Sequence, residues 1–338
     1  MSKIGVLGAG SWGIALATVL DTNGNDVTVW STIEDEVKML SEKREHTSKL
    51  PGVKLGEKIV FTTDIEKAVV GKEIIVMAVP SVFVRSTAEK IAPLVKEGQI
   101  VVDVAKGIEE DTLLPMTELI ESIVKNVDIA ILSGPSHAEE VGRKMPTTIV
   151  AGSKKKSVAE KIQQTFMNEY FRVYTSPDVL GIGLGGSLKN VIALAAGMAD
   201  GLGCGDNTKA ALITRGIREI SALAIAMGAC AETVEGLSGM GDLIVTCASV
   251  HSRNRKAGML MGQGKTMKEA TEEVQMVVEG IYSAKAAKAL SEKYNVETPI
   301  IDSVNQVLFE DRSVKECLNE LMNRDRKSEH THLKWEEQ

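Results

Sequence analysis

The sequence predicts an α/β protein with a doubly wound, mainly parallel sheet at its N-terminus and an all-α domain at its C-terminus. Short runs rich in β-branched residues alternate with amphipathic segments through the first half, as parallel strands joined by right-handed crossovers do. A glycine-rich turn follows the first of these runs. Beyond Pro177 the helical periodicity continues almost without strands, which predicts a helical second half.

The predicted elements follow one another in a regular order. Strands are predicted at residues 3–7, 26–30, 60–62, 73–78, 100–104 and 129–132, and helices at 13–22, 34–45, 82–95 and 113–124. Two more strand-like runs, 147–151 and 171–174, flank a helical segment at 157–169. We expect these two runs to extend the sheet at one edge.

The segment Ser176-Pro177-Asp178 predicts the domain boundary, because Ser caps helices and Pro suits a first helical turn. The predicted domains are an α/β domain over residues 1–177 and a helical domain over residues 178–338. The tail from about residue 325 is charged and polar and is expected to be mobile. Its His330 and His332 are interpreted as tail residues rather than metal ligands.

Length and composition restrict the class of protein. A chain of 338 residues exceeds one ordinary core and indicates two domains. The net charge of −7 argues against binding of nucleic acid, so an anionic ligand must meet a local cluster of cations. No secretory signal, membrane-spanning run or metal-binding cysteine spacing is evident. This predicts a cytoplasmic protein without membrane insertion and without a metal site.

The opening segment, Lys3 to Gly13, carries a phosphate-binding signature. Gly8, Gly10 and Gly13 fit the pattern Gly-x-Gly-x-x-Gly between a predicted strand and a predicted helix, as in a Rossmann-type dinucleotide site. Gly8 permits the tight turn, Gly10 admits the pyrophosphate, and Gly13 lets the helix pack on the sheet. Backbone N–H groups at the helix start then bind the phosphates. The alternative is a glycine turn that packs the helix without a ligand.

The choice between NAD and NADP stays open. The side chains that decide it usually follow the second strand, where this chain has Ser31 and Thr32 and then Glu34 and Asp35. The two hydroxyls are candidate donors to a 2′-phosphate, and the two carboxylates are candidate acceptors from a ribose hydroxyl. The carboxylates are equally well interpreted as first-turn helix acids.

Two lysines are candidates for chemistry. Lys106 directly follows a predicted strand, at the sheet edge where ligands of parallel sheets bind, although a solvated loop lysine fits as well. Lys189 interrupts a helix of small and apolar residues, where a buried charge needs a partner or a task. Desolvation and a neighbouring cation would lower its pKa toward neutrality, as a general acid and base requires. The alternative is a lysine that extends to the surface.

A third cluster spans residues 236–255. Asp242 lies in a glycine-rich loop from which its carboxylate could orient Lys189. Ser252 can cap the next helix, and Arg253 and Asn254 then supply donors at a helix N-terminus, a natural phosphate site. Taken alone, this last segment also fits an exposed helix start.

Together these segments resemble NAD(P)-dependent glycerol-3-phosphate dehydrogenase of the bacterial type. The resemblance runs from Lys3 to about Asp325 and rests on seven motifs in order. They are Gly-Ala-Gly-Ser-Trp-Gly at 8–13, Ala-Lys-Gly-Ile-Glu at 105–109, Gly-Pro-Ser-His-Ala at 134–138, Leu-Lys-Asn-Val at 188–191, Gly-Asp-Leu at 241–243, Ser-Arg-Asn-Arg at 252–255 and Val-Glu-Gly at 278–280.

The resemblance implies reversible reduction of dihydroxyacetone phosphate to sn-glycerol 3-phosphate, a role in glycerophospholipid synthesis, and a homodimer in the cytoplasm. It implies three catalytic residues, Lys189 as proton donor and acceptor with Lys106 and Asp242 beside it. The implied substrate contacts are Lys106, Gly134, Ser136, Lys189, Asp242, Thr246, Ser252, Arg253 and Asn254. The implied dinucleotide contacts, besides Gly8, Gly10 and Gly13, are Ser11, Trp12, Phe83, Lys106, Ala138, Arg253, Val277 and Glu279.

One departure concerns the cofactor. Bacterial members of the family often carry Arg just after the second strand, where this chain has Ser31-Thr32, and this argues against a strong preference for NADP.

Two other classes of protein are the alternatives: a related two-domain β-hydroxyacid or imine reductase, and a non-catalytic dinucleotide sensor. The first has less need of the Ser252 to Asn254 segment, and the second has no need of Lys106, Lys189 and Asp242.

Overall fold

The computed structural model describes residues 1–326, 328, 329 and 336. Its strands are β1 (Lys3–Leu7), β2 (Asp26–Trp30), β3 (Val60–Thr62), β4 (Ile74–Met77), β5 (Ile100–Asp103), β6 (Asp128–Ser133), β7 (Thr147–Gly152) and β8 (Phe171–Ser176). They form one sheet in the order β3-β2-β1-β4-β5-β6-β7-β8. All neighbours are parallel except β6 and β7. The predicted fold class and the extension of the sheet by β7 and β8 are confirmed.

The helices of the first half connect these strands. They are α1 (Ser11–Thr22), α2 (Glu34–Lys43), α3 (Ile65–Val69), α4 (Val84–Ile91), α5 (Met116–Ile123), α6 (Ala138–Gly142) and α7 (Lys156–Phe166). The helix predicted at 113–124 begins later, because Leu113 has a φ of 60° and Pro115 is the N-cap. The helix predicted at 82–95 is shorter and is preceded by a 3₁₀ turn at Ser81–Phe83.

The sheet is buried on both faces, as a doubly wound fold requires. Successive residues of a strand point to opposite faces, so Ile74 and Val76 pack into one apolar cluster while Ile75 and Met77 pack into another. The strand order changes direction between β1 and β4. The crevice beyond the carboxyl ends of these two strands is therefore the place where a ligand would bind.

The second half is helical, with no strand among its described residues. The helices are α8 (Val179–Gly201), α9 (Asp206–Ala226), α10 (Ala231–Glu235), α11 (Asp242–Ala248), α12 (Arg253–Gly262), α13 (Met267–Val274), α14 (Glu279–Tyr294), α15 (Pro299–Phe309) and α16 (Val314–Met322). Asp178 caps α8 by accepting from Gly181 N at 2.9 Å. The expectation of a Ser176 cap is wrong, because Ser176 is the last residue of β8. The boundary between 177 and 178 stays a prediction.

Helix α8 is the centre of the helical half. It is long and apolar enough to cross a membrane by composition, but 83% of its most apolar window is buried inside the structure, as in the core helix of a soluble protein. Most of the tail predicted to be mobile, including His330 and His332, lies outside the described residues.

Glycines bring α8 and α12 into backbone contact. A Cβ at Gly197 would lie 2.0 Å from the carbonyl oxygen of Arg255, and a Cβ at Gly258 would lie 2.1 Å from that of Leu194. Any larger side chain at either position must push the two helices apart. This contact sets the distance between the middle of α8 and the N-terminus of α12.

We predict that Gly258→Ala lowers the free energy of unfolding by about 1–3 kcal/mol, because the added methyl overpacks the contact. Chemical denaturation measures the loss. Lys256→Ala is the control, since Lys256 is an exposed residue of the same helix, and it should change the free energy of unfolding by less than about 0.5 kcal/mol. Equal stability of Gly258→Ala and the parent chain would contradict the prediction.

Candidate active site

Asp242 lies between two lysine ammonium groups. Its Oδ2 accepts from Nζ of Lys106 at 2.6 Å, and its Oδ1 accepts from Nζ of Lys189. Lys189 Nζ also donates to Thr246 Oγ1 at 2.7 Å, and Lys106 Nζ lies 3.3 Å from the carbonyl oxygen of Gly134. The structure thus brings together residues that are far apart in the sequence.

Burial controls the charge of this cluster. Lys189 is 5% exposed and Asp242 is 1% exposed. Desolvation is the largest effect on Lys189 and, with repulsion from Lys106, lowers its pKa to about 7, while Asp242 opposes the shift. Burial alone would raise the pKa of Asp242, but the two ammonium groups hold it below its ordinary value. Lys189 can therefore gain or lose a proton near neutral pH, as a general acid and base must.

Small residues place Asp242 against α8. It follows a π-helical turn, Leu237–Gly241. A Cβ at Gly239 would lie 1.9 Å from the carbonyl oxygen of Val234, and a Cβ at Gly185 would lie 2.8 Å from that of Ser238. A larger residue at Gly185 would separate the turn from α8 and so separate the carboxylate from Lys189, and one at Gly239 would displace the turn from α10.

The loop after β6 contributes backbone and hydroxyl groups beside Lys106. Gly134 has a φ of 148°, which favours glycine, and its carbonyl oxygen accepts both from Lys106 and, at 2.8 Å, from Ser136 Oγ. The loop therefore adjoins the lysine cluster from the sheet side. Gly134 and Ser136 stay predicted substrate contacts.

The N-terminus of α12 adjoins α8 one residue beyond Lys189. Ser252 Oγ caps α12 by accepting from Arg255 N at 3.2 Å. Asn254 donates to Asn190 Oδ1 at 2.9 Å and accepts from Gly280 N at 2.9 Å. Its amide therefore already joins three helices, α8, α12 and α14, and the exposed Arg253 supplies a guanidinium group at this end of the cleft.

The glycine turn has the geometry of a diphosphate cradle. Gly8 has a φ of 119°, and a Cβ at Gly13 would lie 2.1 Å from the carbonyl oxygen of Gly8. Nothing lies within 4 Å of a Cβ position at Gly10. Helix α1, which begins at Ser11, has no side-chain cap and no acidic residue in its first turn, so its N–H groups are available to an anion. The residues present fit a dinucleotide.

The other predicted dinucleotide contacts lie on the segments that follow β1, β4 and β6 and on the segment before α14. Trp12 Nε1 is buried without a hydrogen-bond partner among the described residues, Phe83 is 53% exposed, and Ala138 begins α6. Val277 O lies 3.4 Å from Nη1 of Arg253. These placements leave the assignments as predictions.

Glu279 has a partner that the sequence did not indicate. Its carboxylate accepts from Ser81 N at 3.1 Å and from Ser81 Oγ. Burial raises the pKa of Glu279, and the bonds to Ser81 oppose the shift. The bonds connect the loop after β4 to the start of α14. Sequence reasoning missed Ser81 because the two residues are 198 positions apart.

A second buried network follows β2. Ser31 Oγ donates to Glu36, which also pairs with His46 at 2.8 Å and with Lys49. Burial acts to raise the pKa of Glu36, but these bonds lower it to about 2. Ser31 is therefore already committed to a carboxylate, while Thr32, Glu34 and Asp35 are exposed.

The fold and the lysine cluster together define a dinucleotide-dependent oxidoreductase. The protein-family model for the N-terminus of NAD-dependent glycerol-3-phosphate dehydrogenase matches residues 3–159 of this chain, and the family model for its C-terminus matches residues 178–319. This chain belongs to the NAD-dependent glycerol-3-phosphate dehydrogenase family. The resemblance inferred from the seven motifs is confirmed.

Relatives and a solved structure agree with this assignment. A glycerol-3-phosphate dehydrogenase (NAD(P)+) of Agathobacter rectalis is 68% identical over 99% of this chain and 100% of its own length. One of Fusobacterium nucleatum is 57% identical over 97% of this chain and 99% of its own length. The crystal structure of glycerol-3-phosphate dehydrogenase from Coxiella burnetii has a TM-score of 0.92 at 34% identity, covering 96% of this chain and 99% of that one.

We predict that Asp242→Asn lowers the free energy of unfolding at pH 7 by about 3 kcal/mol or more, because it leaves two ammonium groups without their counter-charge. The loss should shrink as the pH rises from about 6 to about 8. Asp242 raises the pKa of Lys189, so without it Lys189 loses its proton at a lower pH in the folded variant than in the folded parent, and below about pH 7 only the variant gains stability with rising pH. Thermal unfolding across this pH range measures both effects.

Asp200→Asn is the control, since its partners Arg255 and Lys209 have side chains that are 20% and 22% exposed. Water can replace this carboxylate, so the control should lose less stability, and its loss should be the same at about pH 6 and about pH 8. An equal loss at these two pH values in Asp242→Asn would contradict the assigned role of Lys189.

Proposed function

We propose that this dehydrogenase reduces dihydroxyacetone phosphate to sn-glycerol 3-phosphate, and catalyses the reverse, with Lys189 as the proton donor and acceptor. The observation that supports this most directly is the buried Asp242 carboxylate that holds Lys106 and Lys189 together. A carbonyl oxygen placed beside these two amines would gain both a proton and a compensating charge as it is reduced.

The proposed substrate site has a reacting end and an anionic end. At the reacting end, Lys189 as ammonium gives its proton to the carbonyl oxygen, and Lys106 stabilises the negative charge that develops there. Asp242 holds both amines in place, and Thr246 accepts a bond from Lys189. The pKa of about 7 for Lys189 suits transfer in both directions.

At the anionic end, the capped N-terminus of α12 and the Arg253 guanidinium would hold the substrate phosphate. The backbone contact between α8 and α12 keeps this end at a fixed distance from Lys189. Binding energy from the phosphate then aligns the carbonyl with the amines. Gly134 and Ser136 border the same space from the sheet side.

The proposed cofactor site is the crevice at the carboxyl ends of β1 and β4. Gly8, Gly10, Gly13 and the start of α1 would hold the pyrophosphate, with Trp12, Ala138, Val277 and Glu279 around the rest of the dinucleotide. Bound there, NAD(H) or NADP(H) supplies or accepts the hydride. Because Ser31 is committed to Glu36, we propose that NADPH is not strongly preferred.

The remaining proposals rest on the family. We propose a cytoplasmic homodimer that supplies glycerol 3-phosphate to glycerophospholipid synthesis. The two family models match both halves of the chain, and this disfavours a β-hydroxyacid or imine reductase and a dinucleotide sensor. Sedimentation of the purified chain would test the dimer.

The substrate proposal is tested with purified protein, NADH or NADPH, and two ketones. We expect oxidation of the reduced cofactor with dihydroxyacetone phosphate and at least about a hundredfold lower kcat/KM with dihydroxyacetone, which lacks the phosphate. Absorbance at the reduced-nicotinamide band follows both reactions. Equal rates with the two ketones would contradict the proposed anion site.

We predict that Lys189→Ala lowers kcat by about 10³-fold, because the general acid and base is removed. Binding of the reduced cofactor should be nearly unchanged, as measured by nicotinamide fluorescence. Lys209→Ala is the control, since Lys209 pairs with Asp200 rather than Asp242, and it should keep parental turnover. Near-normal kcat in Lys189→Ala would remove Lys189 from the proposed role.

A further inference from the structure

The imidazole of His137 contains a polar atom that the protein leaves unpaired. Its Nε2 is buried and has no hydrogen-bond partner among the described residues. A buried nitrogen without a partner has lost its hydration without compensation, which is costly. His137 follows Ser136 directly and is the N-cap residue of α6, so this atom belongs to the loop that borders the lysine cluster.

The ring also contacts the segment that leads into α12. The His137 and His251 rings lie with centroids 5.9 Å apart at an interplanar angle of 57°. His251 directly precedes Ser252, the cap of α12. His137 therefore connects the loop after β6 to the helix N-terminus at which we place the substrate phosphate.

Charged groups at the reacting end, Lys189 and Asp242, also affect the pKa of His137. Burial lowers the pKa of the ring and the Lys189 ammonium lowers it further, while Glu139, Asp242 and the backbone of Val245 act in the opposite direction. The ring is thus neutral near neutral pH. A neutral imidazole carries one N–H, and in the tautomer with this hydrogen on Nε2 the ring donates from Nε2 without adding a third positive charge beside Lys106 and Lys189.

We propose that His137 is a further substrate-binding residue, whose Nε2 donates a hydrogen bond to the substrate phosphate. This inference rests on the proposed function and on the phosphate position at α12. It assigns a task to the unpaired atom, since a bound phosphate oxygen would supply the missing acceptor. It also makes the loop after β6 a support for the anion in addition to Arg253.

The test is a kinetic comparison of His137→Phe with the parent enzyme. Phe keeps a ring of similar shape but cannot donate, so the KM for dihydroxyacetone phosphate should rise about tenfold or more, with kcat within about twofold. Turnover of dihydroxyacetone, which has no phosphate, should not change. His137→Gln retains a donor and should recover part of the loss in KM.

Tyr170→Phe is the matched control. The Tyr170 hydroxyl is also buried without a partner, but it lies just before β8, so its removal should leave both kinetic constants unchanged. This separates loss of a ligand contact from the general effect of deleting an unpaired polar atom.

Three results would overturn the proposal. They are an unchanged KM for dihydroxyacetone phosphate in His137→Phe, a loss confined to kcat, and an equal loss with both ketones. If His137→Phe does not fold, a parental KM in a folded His137→Ala, whose side chain cannot donate, has the same meaning. Failure of the function itself is distinguishable, because the parent enzyme would then not turn over dihydroxyacetone phosphate.

Discussion

The site depends on one buried carboxylate that lies between two ammonium groups and offsets part of their charge. Asp242 accepts from Lys106 and Lys189 at once, and neither Lys189 nor Asp242 has appreciable contact with water. Without the carboxylate, two like charges would face each other after losing their hydration. With it, Lys189 keeps a pKa of about 7, which is low enough to release a proton and high enough to hold one.

Close packing in the helical half fixes the positions of Lys189 and the N-terminus of α12. Glycines at positions 185, 197 and 258 remove the side chains that would separate the elements meeting at α8. Asn254 then joins α8, α12 and α14 through bonds to Asn190 and Gly280. Close backbone packing therefore positions the reacting amine and the anion-binding helix end relative to each other.

The sheet half contributes the other wall of the cleft through the loops at its carboxyl edge. The glycine turn follows β1, Ser81 follows β4, Lys106 follows β5 and the Gly134 to His137 loop follows β6. Ser81 is held by Glu279 and Lys106 by Asp242, so two bonds from helical residues connect the two halves across the cleft. A substrate between them would meet groups from both halves.

The sequence by itself determined the fold class, all eight strands of the described sheet and the set of motifs that identify the family. These features are local: β-branched runs, helical periodicity and a glycine turn each act over a few neighbouring residues. The sequence also indicated that Lys189, in an apolar helix, requires a counter-charge, because a buried ammonium group is costly without one. It did not identify the residue that supplies this charge.

Only the tertiary structure decided which charges meet. The bonds of Asp242 to both lysines, of Glu279 to Ser81 and of Ser31 to Glu36 depend on side-chain directions that no local pattern encodes. The same holds for the unpaired Nε2 of His137 and for Asn254, whose amide joins three helices. Desolvation and pairing are properties of a packed interior, so the protonation behaviour of the site follows from the fold and not from residue order.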